Sequence, residues 1–256
     1  MLLTADIGNT NITIGIYDGE ELRYRARLHT NRKKTADEYA VDLYAMSRLN
    51  RFVADDINGA IVSSVVPEIT GAFVQAINLF CNVESMVLGP GIKSGLNIRI
   101  DNPAQLGADL VAGAVAAVNH YELPCVVIDL GTATKISVLD EQGTYCGCSI
   151  APGVRISLET LSASASQLPA INLDVPTCPA YGKNTVASMQ AGIILGTACM
   201  LDGMCDRIEE SLGQKIMSVI ITGGHARGII KHCKREHTFC PDLLLEGLRI
   251  IYNKNI

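Results

Sequence analysis

Three aspartates in this chain, Asp6, Asp109 and Asp129, stand where a carboxylate could do chemistry. Asp6 closes an apolar run that begins at Leu2. Gly8, Asn9, Thr10 and Asn11 follow, and a β-branched return ends at Asp18-Gly19. That layout predicts a strand, a tight turn and a returning strand. A carboxylate at a buried strand end needs a cation or donors as its partner. Gly8 lets a ligand approach the backbone, and Thr10 and Asn11 supply side-chain donors. Asp129 ends a second such run, Val126 to Leu130, followed by Gly131, Thr132 and another β-rich return to Asp140. Asp109 is different. It is the only carboxylate in an Ala- and Gly-rich stretch from Asn102 to Ala117. It is either a satisfied structural acceptor or a catalytic group, and an isolated carboxylate among small apolar residues favours a task.

The two Asp-x-Gly turns lie 123 positions apart in a chain of 256 residues. A repeat with a half-chain period implies two related domains, here expected as 1–120 and 121–256. Paired turns of this kind could hold a polyphosphate and its metal. The plain alternative is two unrelated hairpins in a β-rich protein.

The elements that must position these residues follow in order. Strands are expected from Leu2, from Asn11 to Asp18 and from Glu21 to His29. Asn31 to Lys34 is a basic turn. Thr35 and Glu38 have the spacing of a capping box for a helix to about Arg51. Gly59 to Val66 reads as a buried strand and Pro67 to Cys81 as a helix. Asn102 and Pro103 are start signals for a helix over 102–117. The second half repeats the meander from Cys125 to Ile150. A helix is expected over 154–163, a loop over 167–181, a long helix over 186–212 and a strand over 215–221. Strands alternating with helices define an α/β protein.

Three other motifs carry possible chemistry. Gly182, Lys183, Asn184 and Thr185 open the long helix, and the hydroxyls of Thr185 and Ser188 with the free amides of its start suit an anion or polar substrate, although taken alone these residues read as simple capping. Thr222-Gly223-Gly224-His225 is a glycine turn against which a flat ring or a phosphate could lie. His232, Cys233, His237 and Cys240 group together, but their spacing matches no common zinc pattern, and a surface turn is the plain reading.

Composition sets bounds. The net charge of −5 argues against a general nucleic-acid or acidic-membrane surface. The nine cysteines are odd in number and scattered, which excludes an evident disulfide framework. Charges interrupt every apolar stretch, so no membrane-crossing run is expected. With no basic leader before Leu2, a soluble cytoplasmic protein is expected.

The motifs Asp6-Ile7-Gly8-Asn9-Thr10-Asn11, Asn102-Pro103 with Gly107-Ala108-Asp109, Asp129-x-Gly131-Thr132-Ala133-Thr134, Ala151-Pro152-Gly153, Gly182-Lys183-Asn184-Thr185 and Thr222-Gly223-Gly224 occur in this order. Singly they are modest. Together they resemble type III pantothenate kinases over almost the whole chain. The resemblance implies two ribonuclease-H-like domains of the acetate kinase, sugar kinase, Hsp70 and actin group, related by internal duplication, and a homodimer. It implies transfer of the ATP γ-phosphoryl to pantothenate, the first step towards coenzyme A, with Mg²⁺ and a monovalent cation such as K⁺ or NH₄⁺.

By the same resemblance, Asp6, Ile7, Gly8, Asn9, Thr10, Asn11, Ile12 and Thr13 wrap the ATP phosphates, with Asp6 on Mg²⁺. Asp109 is the general base. Gly107, Ala108, Asp109, Leu110 and Thr185 contact pantothenate. Asp129 binds the monovalent cation, Thr132 contacts ATP, and Gly223 and Gly224 lie near the adenosine.

This chain departs from the pattern at four places. Leu110 replaces a usual Arg, Ile100 a usual Tyr and His225 a usual Asp, while Lys135 is gained where the strand after Thr134 loses an acid. Arg155 is a candidate replacement for the lost Arg, and Lys135 for the cation at Asp129. Two other readings stay open: a kinase of the same fold for another small hydroxyl compound, and a weakly active nucleotide-binding regulator.

Overall fold

The computed structural model describes residues 1–164, 168–169 and 171–256. Gln167 and Ala170, within the expected 167–181 loop, lie outside the described residues. The chain divides into two compact units. The first comprises Met1–Leu96, Asn102–Ala116 and Asp242–Ile256, and the second Asn97–Asp101 and Ala117–Pro241.

The first unit is built on β1 (Leu2–Ile7), β2 (Asn11–Asp18), β3 (Glu21–His29), β4 (Gly59–Ser64) and β5 (Ser85–Val87). Their sheet order is β3-β2-β1-β4-β5, with the meander antiparallel and β4 and β5 parallel to β1 and β4 respectively. The central strands β1 and β4 are apolar on both faces because both faces are covered. Leu3, Ala5 and Ile7 pack with Tyr39 and Leu43 of α1 (Ala36–Asn50) and Phe73 and Ile77 of α2 (Pro67–Cys81). On the other face Leu2 and Ile61 meet Ala112 and Val115 of α3 (Ala108–His120). Thr35 and Glu38 form the expected capping box at the start of α1, and Pro67 is the first residue of α2.

In the second unit, β6 (Cys125–Leu130), β7 (Ala133–Leu139), β8 (Tyr145–Pro152), β9 (Ser218–Thr222) and β10 (Thr238–Phe239) repeat that topology in the order β10-β9-β6-β7-β8. After α4 (Val154–Ser164), a continuous helix runs from Thr185 to Leu212 as α5 (Thr185–Gln190), a π-helical turn (Ala191–Leu195) and α6 (Gly196–Leu212). Ile194, Ala198, Leu201, Cys205 and Ile208 form its buried stripe against Val126, Ile128 and Leu130. Steps of three and four are those of an amphipathic helix lying on a sheet. The stretch is nevertheless long and apolar enough to cross a membrane by length and composition alone, with 28% of its apolar window buried. The charges expected to interrupt it lie too close to its end to do so.

Arg235 ties the loop before β10 to α6 through Asp206 at 2.6 Å and Glu209 at 2.8 Å. The guanidinium, with a backbone N–H from Ile216, lowers the Glu209 carboxyl to about 2. The short α7 (Ala226–Ile230) follows the glycine turn after β9.

Three expectations need correction. The helix over 102–117 is broken: Asn102 caps a single 3-10 turn, Pro103–Gln105, Leu106 is extended, and α3 starts only at Ala108. The long helix starts at Thr185 rather than at 186, capped by Asn184, whose side chain accepts from the Ala187 N–H at 2.9 Å. A single cut at residue 120 also misplaces the last helix, α8 (Leu243–Asn253), which belongs to the first unit. Its apolar stripe Leu245, Leu248 and Ile251 needs a sheet face to bury, and packs with Leu2, Tyr17 and Ile61.

Candidate active site

In the first unit, Asp6 is the penultimate residue of β1, half-buried, directly opposite Thr13 on β2 and Ser63 on β4. The turn after it is closed by the Gly8 N–H donating to the Asn11 carbonyl at 3.0 Å. It is also fixed from the end of β3. The buried Thr30 hydroxyl donates to the Gly8 carbonyl at 2.6 Å, and the Thr30 N–H to the Thr10 carbonyl at 2.9 Å. Arg32 reaches the Asn9 side chain at 3.2 Å. The oxygens of Asp6, Asn9, Thr10, Asn11 and Thr13 are a hard donor set, which fits Mg²⁺ held by one carboxylate with water and phosphate.

Asp109 lies in the first turn of α3, at the positive end of the helix dipole, with the Leu110 N–H donating to its Oδ1 at 2.8 Å. A Cβ on Gly107 would fall 2.6 Å from that same oxygen, so the glycine is what lets the carboxylate fold back over its own turn. Val65 joins this turn to β1: its N–H donates to the Ile7 carbonyl at 3.0 Å, and its side chain lies 4.0 Å from where a Gly107 Cβ would be. Asp6, its turn and Gly107 to Leu110 therefore collect at the carboxyl ends of the parallel strands β1 and β4, where open α/β sheets bind ligands.

In the second unit, Asp129 is again the penultimate residue of its strand, but the residue directly opposite is Lys135. The Lys135 Nζ stands 2.8 Å from Asp129 Oδ2, and each side chain is 17% exposed. A second monovalent cation on that carboxylate would stand about 4 Å from the ammonium, a repulsion of about 4 kcal/mol at an effective dielectric of about 20.

Thr132 is exposed on the turn beyond. Gly223 packs against the end of β6. At φ +99 a Cβ there would meet the Leu130 backbone at 2.5 Å, and the His225 N–H donates to the Leu130 carbonyl at 3.1 Å. Asp129, Thr132, Gly223 and Gly224 are thus brought together around one strand end, whereas Thr185 is exposed on a separate element, at the start of α5.

The His/Cys group is used otherwise. His237 Nδ1 faces the Arg235 carbonyl at 2.9 Å, and β10 lies between His237 and Cys240. Among the described residues no three His, Cys, Asp or Glu side chains gather as a metal site. Arg155 is exposed and paired with Glu159 at 2.7 Å. Thr30 and Val65, which fix the Asp6 and Asp109 turns, gave no signal in the sequence because their roles depend on backbone partners far along the chain.

The family model for type III pantothenate kinase matches residues 2–207. The type III pantothenate kinase of an Exiguobacterium species is 40% identical over 255 residues, covering 100% of this chain and 99% of that one. The chain belongs to the type III pantothenate kinase family. The Geobacillus type III pantothenate kinase is similar at 41% identity over 258 residues, covering 100% and 98% of the two chains. Among solved structures, the archaeal actin homolog Ta0583 superposes with a TM-score of 0.53 at 11% identity, covering 99% of each chain. That likeness shows an actin-like fold for this pantothenate kinase family member, in keeping with its two sheets of matching topology.

Proposed function

We propose that this protein phosphorylates pantothenate with ATP and that Asp109 is its general base. The observation that supports the site assignment is the Asp109 carboxylate, folded over Gly107 at the strand ends where the Asp6 turn also lies. The pantothenate hydroxyl oxygen attacks the γ-phosphorus, its proton passes to an Asp109 carboxylate oxygen, and ADP leaves. Such transfers depend mostly on positioning and charge neutralisation, so one base and a phosphate cradle suffice. Asp6 would hold Mg²⁺, which when bound neutralises charge on the phosphates.

The turn from Gly8 to Thr13 would hold the phosphates, and Thr132, Gly223 and Gly224 the rest of the nucleotide. Gly107 to Leu110 and Thr185 would contact pantothenate. The protein would act in the cytoplasm, where ATP and pantothenate are available. A coupled ADP-release assay with pantothenate tests the reading, with Asp109→Asn as control.

A second reading keeps the kinase and changes the acceptor. Leu110, an apolar residue in the first turn of α3, supports it, since an apolar side chain there would bind a different hydroxyl compound from one recognised by Arg. The same assay across a panel of small hydroxyl acceptors separates the two.

A homodimer is part of the proposal. Ile156 of α4 and Val186 of α5 are exposed, and most of the apolar window of the 185–212 helix is unburied. A second copy would cover this face, and light scattering on the purified protein would read a mass of two chains.

A further inference from the structure

We propose that Lys135 takes the place of a monovalent metal cation at Asp129, so that this enzyme works without potassium or ammonium; the inference rests on the kinase reading above. The cation that the family resemblance places on Asp129 does not fit the residues present. Asp129 and Lys135 are direct cross-strand partners, so the ammonium is delivered by the neighbouring strand rather than by a mobile loop. Directly opposite residues on neighbouring strands share a face. The row across this sheet reads Thr222, Asp129, Lys135, Ile150. Neither outer neighbour in that row is charged. The carboxylate and the ammonium neutralise each other at 2.8 Å, and their limited exposure keeps the pair from being screened as a surface pair would be.

A lysine ammonium is a compact point charge with three donors, the closest side-chain equivalent of a small monovalent cation. Its tether makes its local concentration independent of the salt outside. In the duplicated hairpin the matching partner of Asp6 is Thr13, so the charge at 135 is not imposed by the fold.

The test is a potassium titration at constant ionic strength, made up with tetramethylammonium chloride, on the unaltered protein, Lys135→Thr and Lys135→Arg. Two quantities are read: the rate of pantothenate phosphorylation and the melting temperature. The unaltered protein is expected to show a flat rate and no potassium-specific rise in melting temperature. Lys135→Thr is expected to lose about tenfold or more in rate without potassium and to regain it when potassium or ammonium is added. Its melting temperature is expected to rise with potassium, as mass action requires of a newly opened site. Lys135→Arg should stay independent of potassium.

Potassium activation of the unaltered protein, or a potassium-specific rise in its melting temperature, would overturn the proposal. If pantothenate is not turned over under any salt, the kinase reading fails, and the melting series on the unaltered protein still decides whether Asp129 takes a cation. Should Lys135→Thr not fold, Lys135→Met serves in its place.

Discussion

The β1–β2 and β6–β7 hairpins share a strand, an aspartate at the penultimate position and a glycine-led turn. They differ in two details. The second turn is one residue shorter between its last paired residues, and the partner across the strand changes from Thr13 to Lys135. In the first sheet the row reads Ser63, Asp6, Thr13, Arg27, which puts a cationic side chain two strands away from the carboxylate. In the second, the cation is the immediate neighbour. One duplicated backbone therefore presents two carboxylates in different surroundings. Asp6 is set among hard oxygens and suits a divalent cation with phosphate, whereas the charge of Asp129 is met inside the protein. Register fixes where a carboxylate stands; a single residue across the ladder fixes the charge that faces it.

The contrast can be broken in graded steps. The largest effect is expected at Asp109, which lies with the first hairpin at the strand ends. Asp109→Asn should lower kcat by about 10³-fold while ATP binding, read by calorimetry, persists. Asp6→Asn comes next, with a fall in kcat of about 10²-fold and a raised magnesium requirement in a titration of rate against metal. If Asp129→Asn raised the magnesium requirement equally, the two carboxylates would not be specialised.

Gly223→Ala should destabilise the protein by about 2 kcal/mol, because the left-handed φ and the Leu130 backbone both exclude a Cβ. Urea unfolding would register this as a lower midpoint. The matching exchange at Gly8, where a Cβ would meet only the Asn11 carbonyl at 3.1 Å, should cost less.

The smallest effect concerns an ion pair of the second unit away from either hairpin. Glu209 is lowered to about 2 by Arg235, so the stability it contributes is present above its ordinary value near 4.5 and is lost as pH falls towards 2. With both side chains partly exposed the contribution is about 1 kcal/mol. Arg235→Ala should flatten that part of the stability-against-pH curve and leave the melting temperature as insensitive to potassium as in the unaltered protein.

Much of this was legible in the sequence where the information is local. The capping box at Thr35 and Glu38, Pro67 at a helix start and both Asp-x-Gly hairpins are carried by residues a few positions apart, and the structure has each of them. What was not legible depends on distant partners. β5 and β10 are three and two residues long, too short for a period to emerge, and exist because a parallel neighbour offers them a ladder. Asn102 and Pro103 are true start signals, but for one 3-10 turn, since Leu106 leaves the helical region before α3 begins. The place of α8 in the first unit was hidden because nothing in its own residues tells which sheet its stripe will cover. At the site, residue types marked Asp6 and Asp109, but only the fold shows that Val65 joins their two turns.

The most direct test of the account is ATP-dependent phosphorylation of pantothenate by the unaltered protein and by Asp109→Asn, followed as coupled ADP release with magnesium present. Clear turnover is expected, abolished by the single exchange of a carboxylate for an amide while ATP still binds. Equal turnover by both proteins, or none by the unaltered protein despite bound ATP, would contradict it.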